Sequence, residues 1–202
     1  MWKCSNCYHV EFGPEKPEKC PVCGAGAEKF MQHEVPRIKG MKTLQNLKNG
    51  FVAESQAHLR NLAFAMKAEQ EGYSQMARLF RAIAEAESVH AFNHLRLLNA
   101  VSSTQENLES AFERENLASE AYPHFIKDAN EEDNSSVATI FSYSRDVERG
   151  HAKLYKKAMQ HMLAEGETEY YVCQVCGYVS DGTLPDDCPI CGAPKEKFKK
   201  VV

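Results

Sequence analysis

The sequence predicts a mainly α chain: four long helices forming one bundle, with a small four-cysteine metal module at each end. Three observations predict it. Apolar residues recur at helical spacing from position 43 to about 164, interrupted near Gly72, at 99–103 and at 130–134. All eight cysteines fall into four Cys-x-x-Cys pairs, two at each end of the chain. Between them, Glu54, Glu87 and His90 return as Glu115, Glu148 and His151, each displaced by 61 positions.

Composition bounds the class. With 202 residues and 43% hydrophobic content, the chain can bury one good core and carry small appended modules. A net charge of -4 and the lack of a Lys/Arg cluster interleaved with aromatics argue against a nucleic-acid partner. No stretch approaches the roughly 18 apolar residues of a membrane span, and Met-Trp-Lys leads straight into Cys4 with no apolar leader. A soluble, cytoplasmic protein with no membrane partner is therefore expected. In a reducing cytosol, paired cysteines favour thiolate metal sites over a disulfide framework.

In chain order, residues 1–33 form the first cysteine module, and 34–42, with Pro36 and Gly40, a linker. The bundle is expected over 43–164. Thr43 is placed to cap a first helix whose stripe uses Leu44, Leu47, Phe51 and Leu62 and which ends near Gly72. A second helix runs from Ser74 to Leu98, with Met76, Leu79, Phe80, Ile83, Phe92 and Leu95 as its core residues. After a polar crossover, Thr104 begins a third, with Leu108, Phe112, Phe125 and Ile126 inward and Pro123 removing one backbone hydrogen bond. Asn134 or Ser135 caps the fourth, which buries Val137, Ile140, Phe141, Val147, Leu154, Met159 and Met162. Residues 165–169 link it to the second module, 170–202.

The repeated residues carry the chemistry. Glu87-Ser-Val-His90 and Glu148-Arg-Gly-His151 put a carboxylate and an imidazole on one helix face about a turn apart. A further Glu stands 33 residues upstream of each, at Glu54 and Glu115. A helix, a turn and an antiparallel helix return the chain to nearly the same height over such an interval, so the carboxylates face each other. A Glu from each of two helices and a Glu-x-x-His from each of the other two is the di-iron carboxylate set of ferritin-like four-helix bundles. Four glutamates balance the charge of two divalent ions, whereas burying carboxylates unpaired is expensive. These donors suit non-haem iron or manganese and do not choose between them. His9, His33, His58, His94, His124 and His161 have no counterpart in the repeat and are read as surface or packing residues.

The C-terminal module reads Cys173-Gln-Val-Cys176-Gly and Cys188-Pro-Ile-Cys191-Gly. A Gly after each knuckle lets the backbone turn tightly, so that amide N–H groups point at thiolate sulfur. It resembles rubredoxin, whose single iron carries one electron; four thiolates suit zinc equally well. The N-terminal module, Cys4-Ser-Asn-Cys7 with Cys20-Pro-Val-Cys23-Gly, is similar but has Tyr8 where the first knuckle's Gly is expected.

A ferritin-like bundle flanked by rubredoxin-like modules resembles the rubrerythrin family. The matching stretches are Phe-Val-Ala-Glu54-Ser-Gln-Ala, Ala-Glu-Ala-Glu87-Ser-Val-His90-Ala, Asn107-Leu, Tyr122-Pro123 and Val147-Glu148-Arg-Gly-His151-Ala, followed by the terminal module. The resemblance implies a peroxidase of oxidative-stress defence: the di-iron centre reduces hydrogen peroxide, and thiolate iron relays electrons from an NAD(P)H-linked reductase or a rubredoxin. It implies Tyr122 as a hydrogen-bond donor to a ligand carboxylate and a homodimer, with elements exchanged between copies as one form. Most relatives carry one rubredoxin module; this chain has two. The family pattern has a seventh ligand three residues after the third-helix Glu, where this chain has Ala118, and relatives accommodate one more residue there, as in a π-bulge. The site therefore reads as six ligands, which leaves a ferroxidase or oxygen reductase as the alternative activity.

Overall fold

A computed structural model describes residues 2–7, 10–11, 15–32, 38–160 and 168–201. Tyr8, His9, His33, His161 and Met162, with residues 34–37 and 165–167 of the two expected linkers, lie outside that set. The chain divides into two compact units, Met1–Val101 and Ser102–Val202, each a cysteine module followed or preceded by a helical hairpin. The expected class, mainly α with four long helices and a rubredoxin-like module at either end, is what the chain has.

In the first unit, β1 (Trp2–Cys4) pairs antiparallel with β2 (Val10–Glu11) on one side and β3 (Phe30–Gln32) on the other. The β1–β3 register sets Cys4 opposite Phe30, and these two with Cys20 form the module's small core. Next come α1 (Met41–Gln70) and α2 (Ser74–Leu97). Gly72 makes the turn between them at φ +83°, a conformation open to glycine, and Tyr73 N–H closes onto Ala68 O. α1 starts two residues ahead of Thr43: Gly40, at φ +88°, lets the chain swing into the helix, and no side chain caps it.

The second unit opens with α3 (Thr104–Glu131). Ser103 caps it in a reciprocal box with Glu106, a Ser-x-x-Glu signal present in the sequence. α3 is α-helical throughout, Pro123 included, with no π-turn near Ala118. In α4 (Ser135–Gln160), Asn134 holds the cap position by its carbonyl, which accepts from Ala138 N–H, while its side-chain amide donates to Glu132 O. β4 (Tyr170–Cys173), β5 (Val179–Asp181) and β6 (Phe198–Val201) repeat the first sheet, with β4 central. No helix among the described residues is long and apolar enough to cross a membrane.

The hairpin interiors differ from expectation. The buried residues are small: Ala65 and Ala68 on α1, Ala77, Ala84 and Ala91 on α2, Ser119 and Ala129 on α3, Ala138 and Ala152 on α4, with Val147 the one larger side chain among the described residues of the hairpins. Leu62, Met76, Leu79, Ile83, Phe92, Phe125, Val137 and Ile140, expected inside, are exposed. Within a hairpin the helices approach on alanine, which brings backbones close enough for His58 Nδ1 to donate to Ala84 O at 2.8 Å. The larger residues occupy other faces. Enlarging the seam, as in Ala84→Leu, forces the helices apart and should lower stability by about 1–3 kcal/mol, read from chemical denaturation of the full chain.

Candidate metal centres

Each module gathers four thiols. Cys4, Cys7, Cys20 and Cys23 place their sulfurs within 4.8 Å of one another, as do Cys173, Cys176, Cys188 and Cys191, and all eight are thiols rather than disulfides. The closest pairs, Cys7–Cys20 at 3.6 Å and Cys176–Cys188 at 3.5 Å, approach the edge of about 3.8 Å that a tetrahedron with metal–sulfur bonds of about 2.3 Å requires. The knuckles turn at Gly24 (φ +72°), Gly177 (+84°) and Gly192 (+71°), in the left-handed region.

Those turns aim amides at sulfur. The Asn6 side chain and then the Ala25 amide draw the Cys23 thiol down to about 6. Burial pushes Cys173 up, but the Cys176 and Val175 amides outweigh it and leave that thiol below its ordinary range. Burial also raises Cys176 and Cys191, against single amides of Tyr178 and Ala193. Four clustered sulfurs of which two resist ionisation are a poor resting place for charge alone and a good one for a cation.

The hairpins carry the second pair of groups. α1 supplies Glu54 and α2 supplies Glu87 and His90; α3 supplies Glu115 and α4 supplies Glu148 and His151. Within each trio the ligand atoms lie within 4.8 Å of one another. His90 Nδ1 is 2.9 Å from Glu87 Oε2; His151 Nδ1 is 3.1 Å from Glu148 Oε2 and 3.8 Å from Glu115 Oε1. No further acid from α3 joins the second trio. Tyr122, two turns beyond Glu115 on α3, packs its ring against Phe125 and Phe141 at 5.7 and 6.0 Å between centroids. His94 joins neither trio. It lies against Gly50, where a Cβ would come within 2.7 Å of the imidazole.

The second trio has a partner that spacing could not reveal. His151 Nε2 lies 3.2 Å from the carbonyl oxygen of Gly177, the knuckle residue after Cys176. A carbonyl only accepts, so Nε2 donates to it, and Nδ1 faces the two carboxylates. That arrangement is repulsive unless a proton or a cation lies between them. Burial, then Glu148, lifts Glu115 to about 7, the response of a carboxyl that lacks the cation. The donor set, the fixed tautomer and the raised carboxyl together fit a metal ion. The module is further seated on α4 by a Lys157–Asp181 ion pair, and Leu154, Tyr155 and Val179 line a cavity of about 330 Å³ beside it.

Comparison with known proteins bears on these groups. The family model described as Rubrerythrin matches residues 45–159 and 106–180, and that described as Rubrerythrin, rubredoxin-like domain matches 2–31 and 171–199. The chain is 34% identical over 171 residues to nigerythrin of Nitratidesulfovibrio vulgaris, covering 77% of this chain and 85% of that protein. It is 33% identical over 182 residues to a rubrerythrin of Porphyromonas gingivalis, covering 80% and 91%. A solved structure of nigerythrin in its fully reduced, all-ferrous state aligns at a TM-score of 0.49 and 32% identity, over 82% of this chain and 89% of that one.

The Glu115 carboxyl sets a pH signature. Its value of about 7 in the folded chain lies above the ordinary 4.5, so folding favours the protonated form. The metal-free protein should hold this contribution below about pH 4.5 and lose it as pH rises through about 7. Thermal melting of chelated protein across that window reads the slope, and Glu115→Gln should flatten it.

Proposed function

The chain belongs to the rubrerythrin family, and from that premise we propose that it is a non-haem di-iron peroxidase, reducing hydrogen peroxide to water with electrons relayed through its cysteine modules. It carries that family's candidate di-iron set and two rubredoxin-like Cys4 sites. Glu54, Glu87 and His90 in one hairpin, and Glu115, Glu148 and His151 in the other, are the residues that would hold the ions. Bound there, ferrous iron would supply the two electrons that, with two protons, take one peroxide to two waters. Tyr122, steadied by Phe125 and Phe141, offers its hydroxyl to a ligand carboxylate.

The observation that carries this reading is the hydrogen bond from His151 to Gly177. One peptide unit and one hydrogen bond separate Cys176 of the thiolate site from the imidazole of the carboxylate site. His151 is thereby oriented, held in one tautomer and linked to the module that delivers electrons. A separate NAD(P)H-linked reductase or a rubredoxin recharges the modules, in a cytoplasmic setting of oxidative-stress defence. The six-ligand set, with Ala118 where a further acid would stand, favours a second reading as ferroxidase or oxygen reductase.

Mixing the anaerobically reduced protein with peroxide or with dioxygen in a stopped-flow instrument separates the two readings. Oxidation by peroxide should be at least about tenfold faster, roughly 1.4 kcal/mol in barrier; equal rates end the peroxidase assignment. Cys191→Ser should abolish the visible ferric-thiolate absorption of the C-terminal module and most reductase-linked turnover. It should leave the single-turnover reaction of pre-reduced protein intact. Protein purified without added zinc that shows no such absorption in either module would instead make the modules zinc ribbons.

A further inference from the structure

One peptide unit joins the two candidate metal sites of the second unit, and both of its polar ends are engaged. The Gly177 carbonyl accepts from His151 Nε2 at 3.2 Å, and the N–H at the other end of the same peptide, that of Tyr178, donates to Cys176 Sγ. His151 Nδ1 in turn lies 3.1 Å from Glu148 Oε2. A line therefore runs from carboxylate through imidazole and peptide to sulfur, and each break in its covalent chain is closed by a hydrogen bond. The twin knuckle lacks this backing. Ala193 N–H likewise donates to Cys191, but among the described residues no donor meets the Gly192 carbonyl, and a Cβ there would find nothing within 4 Å. A Cβ on Gly177 would touch Val147 of α4 at 3.8 Å.

Hydrogen bonds in series polarise one another, by roughly 10–30% per bond. A cation on Nδ1 withdraws electron density from the ring and makes Nε2–H the stronger donor. The Gly177 oxygen then gains negative charge, and the Tyr178 N–H becomes more positive. Reduction of a tetrathiolate iron from ferric to ferrous adds one electron and takes the cluster from one net negative charge to two, so a stronger N–H···S bond favours the reduced form. Bonds to charged groups are the strong class, and a gain of that fraction in one of them changes the reduction equilibrium by about threefold.

We infer that the Gly177–Tyr178 peptide couples the two sites in both directions: a cation held by Glu115, Glu148 and His151 raises the reduction potential of the C-terminal thiolate iron, and reduction of that iron tightens the cation by the same factor. His151 thereby acts on the thiolate module as a positioning residue. The module takes its electron, from the one-electron donor that serves it, most readily when the site that consumes the electron is filled. This rests on the di-metal reading above.

Spectroelectrochemistry of the full chain tests the coupling, with iron in the thiolate modules, the carboxylate sites emptied by chelation, and Mn2+ as the added cation, since it prefers oxygen and nitrogen donors to thiolate. Cys20→Ser removes the N-terminal signal and so assigns the C-terminal one. Mn2+ should raise the C-terminal couple by about threefold in its reduction equilibrium, about 28 mV at about 59 mV per tenfold. Without any added cation, His151→Leu should lower that couple, and His151→Gln, which keeps an N–H donor, should recover part of the loss. Lys157→Ala loosens the seat of the module without touching the line and should leave the Mn2+ response in place.

Through-space charge is the rival explanation, and amide shifts separate it. In isotope-labelled protein with zinc in the modules, Zn2+ added to the emptied carboxylate sites should move the Tyr178 amide proton downfield and leave that of Ala193 where it was. Bound Mn2+ with no shift in potential, equal movement of the two amides, or a His151→Leu couple at the wild-type value overturns the coupling. Mn2+ that fails to bind overturns the di-metal reading instead, while the comparison of His151→Leu with wild type still decides the hydrogen-bonded line on metal-free sites.

Discussion

The structure depends on crowding negative charge where it can be relieved by a cation. Glu115 and Glu148 bring carboxylate oxygens within 4.8 Å, with Nδ1 of His151 beside them. At an effective dielectric near 20, two full charges at that separation or closer repel by at least about 3 kcal/mol. Against a typical net stability of about 5–15 kcal/mol, that repulsion is large enough to matter and small enough for the fold to hold. The metal-free chain answers by retaining a proton on Glu115, and a divalent ion answers it better. The first trio repeats the constraint in a more open setting.

The hairpins serve that constraint. Alanines at Ala77, Ala84 and Ala91, seven residues apart, bring α2 close to α1, and close helices keep Glu54 in reach of Glu87 and His90. Ala138 and Ala152 do the same for α4, beside Val147. Large side chains in those seams would hold the backbones too far apart for short carboxylate arms to meet. Met76, Leu79 and Ile83 are thus displaced onto the face of α2 that carries His90, and Val137 and Ile140 onto the face of α4 that carries His151.

Much of this was legible in the sequence. The repeat of Glu54, Glu87 and His90 at Glu115, Glu148 and His151 identified both trios, because a fixed displacement in a duplicated hairpin brings equivalent residues to equivalent heights. The ends of the hairpin turns at Gly72 and 132–134 were readable from glycine and polar residues, and the Cys-x-x-Cys pairs identified both thiol clusters. Side-chain size misled where hydrophobicity was taken for burial: Met76, Leu79 and Ile83 look more like core than Ala77 and Ala84, yet close helix contact selects the smaller residues. Thr43 looked like a cap, but Gly40 lets α1 begin earlier. The Gly177 contact was out of reach, since a backbone carbonyl leaves no trace in residue type or spacing.

The Gly177 carbonyl also breaks a symmetry. His90 and His151 are equivalent by duplication, yet His151 is tethered by its outer nitrogen and 24% exposed, whereas His90 is 55% exposed and has no partner for that nitrogen among the described residues. Duplication supplies two equivalent imidazoles, and one backbone carbonyl makes them unequal: one is anchored to the cysteine module, while the other is held by its own helix neighbour, Glu87.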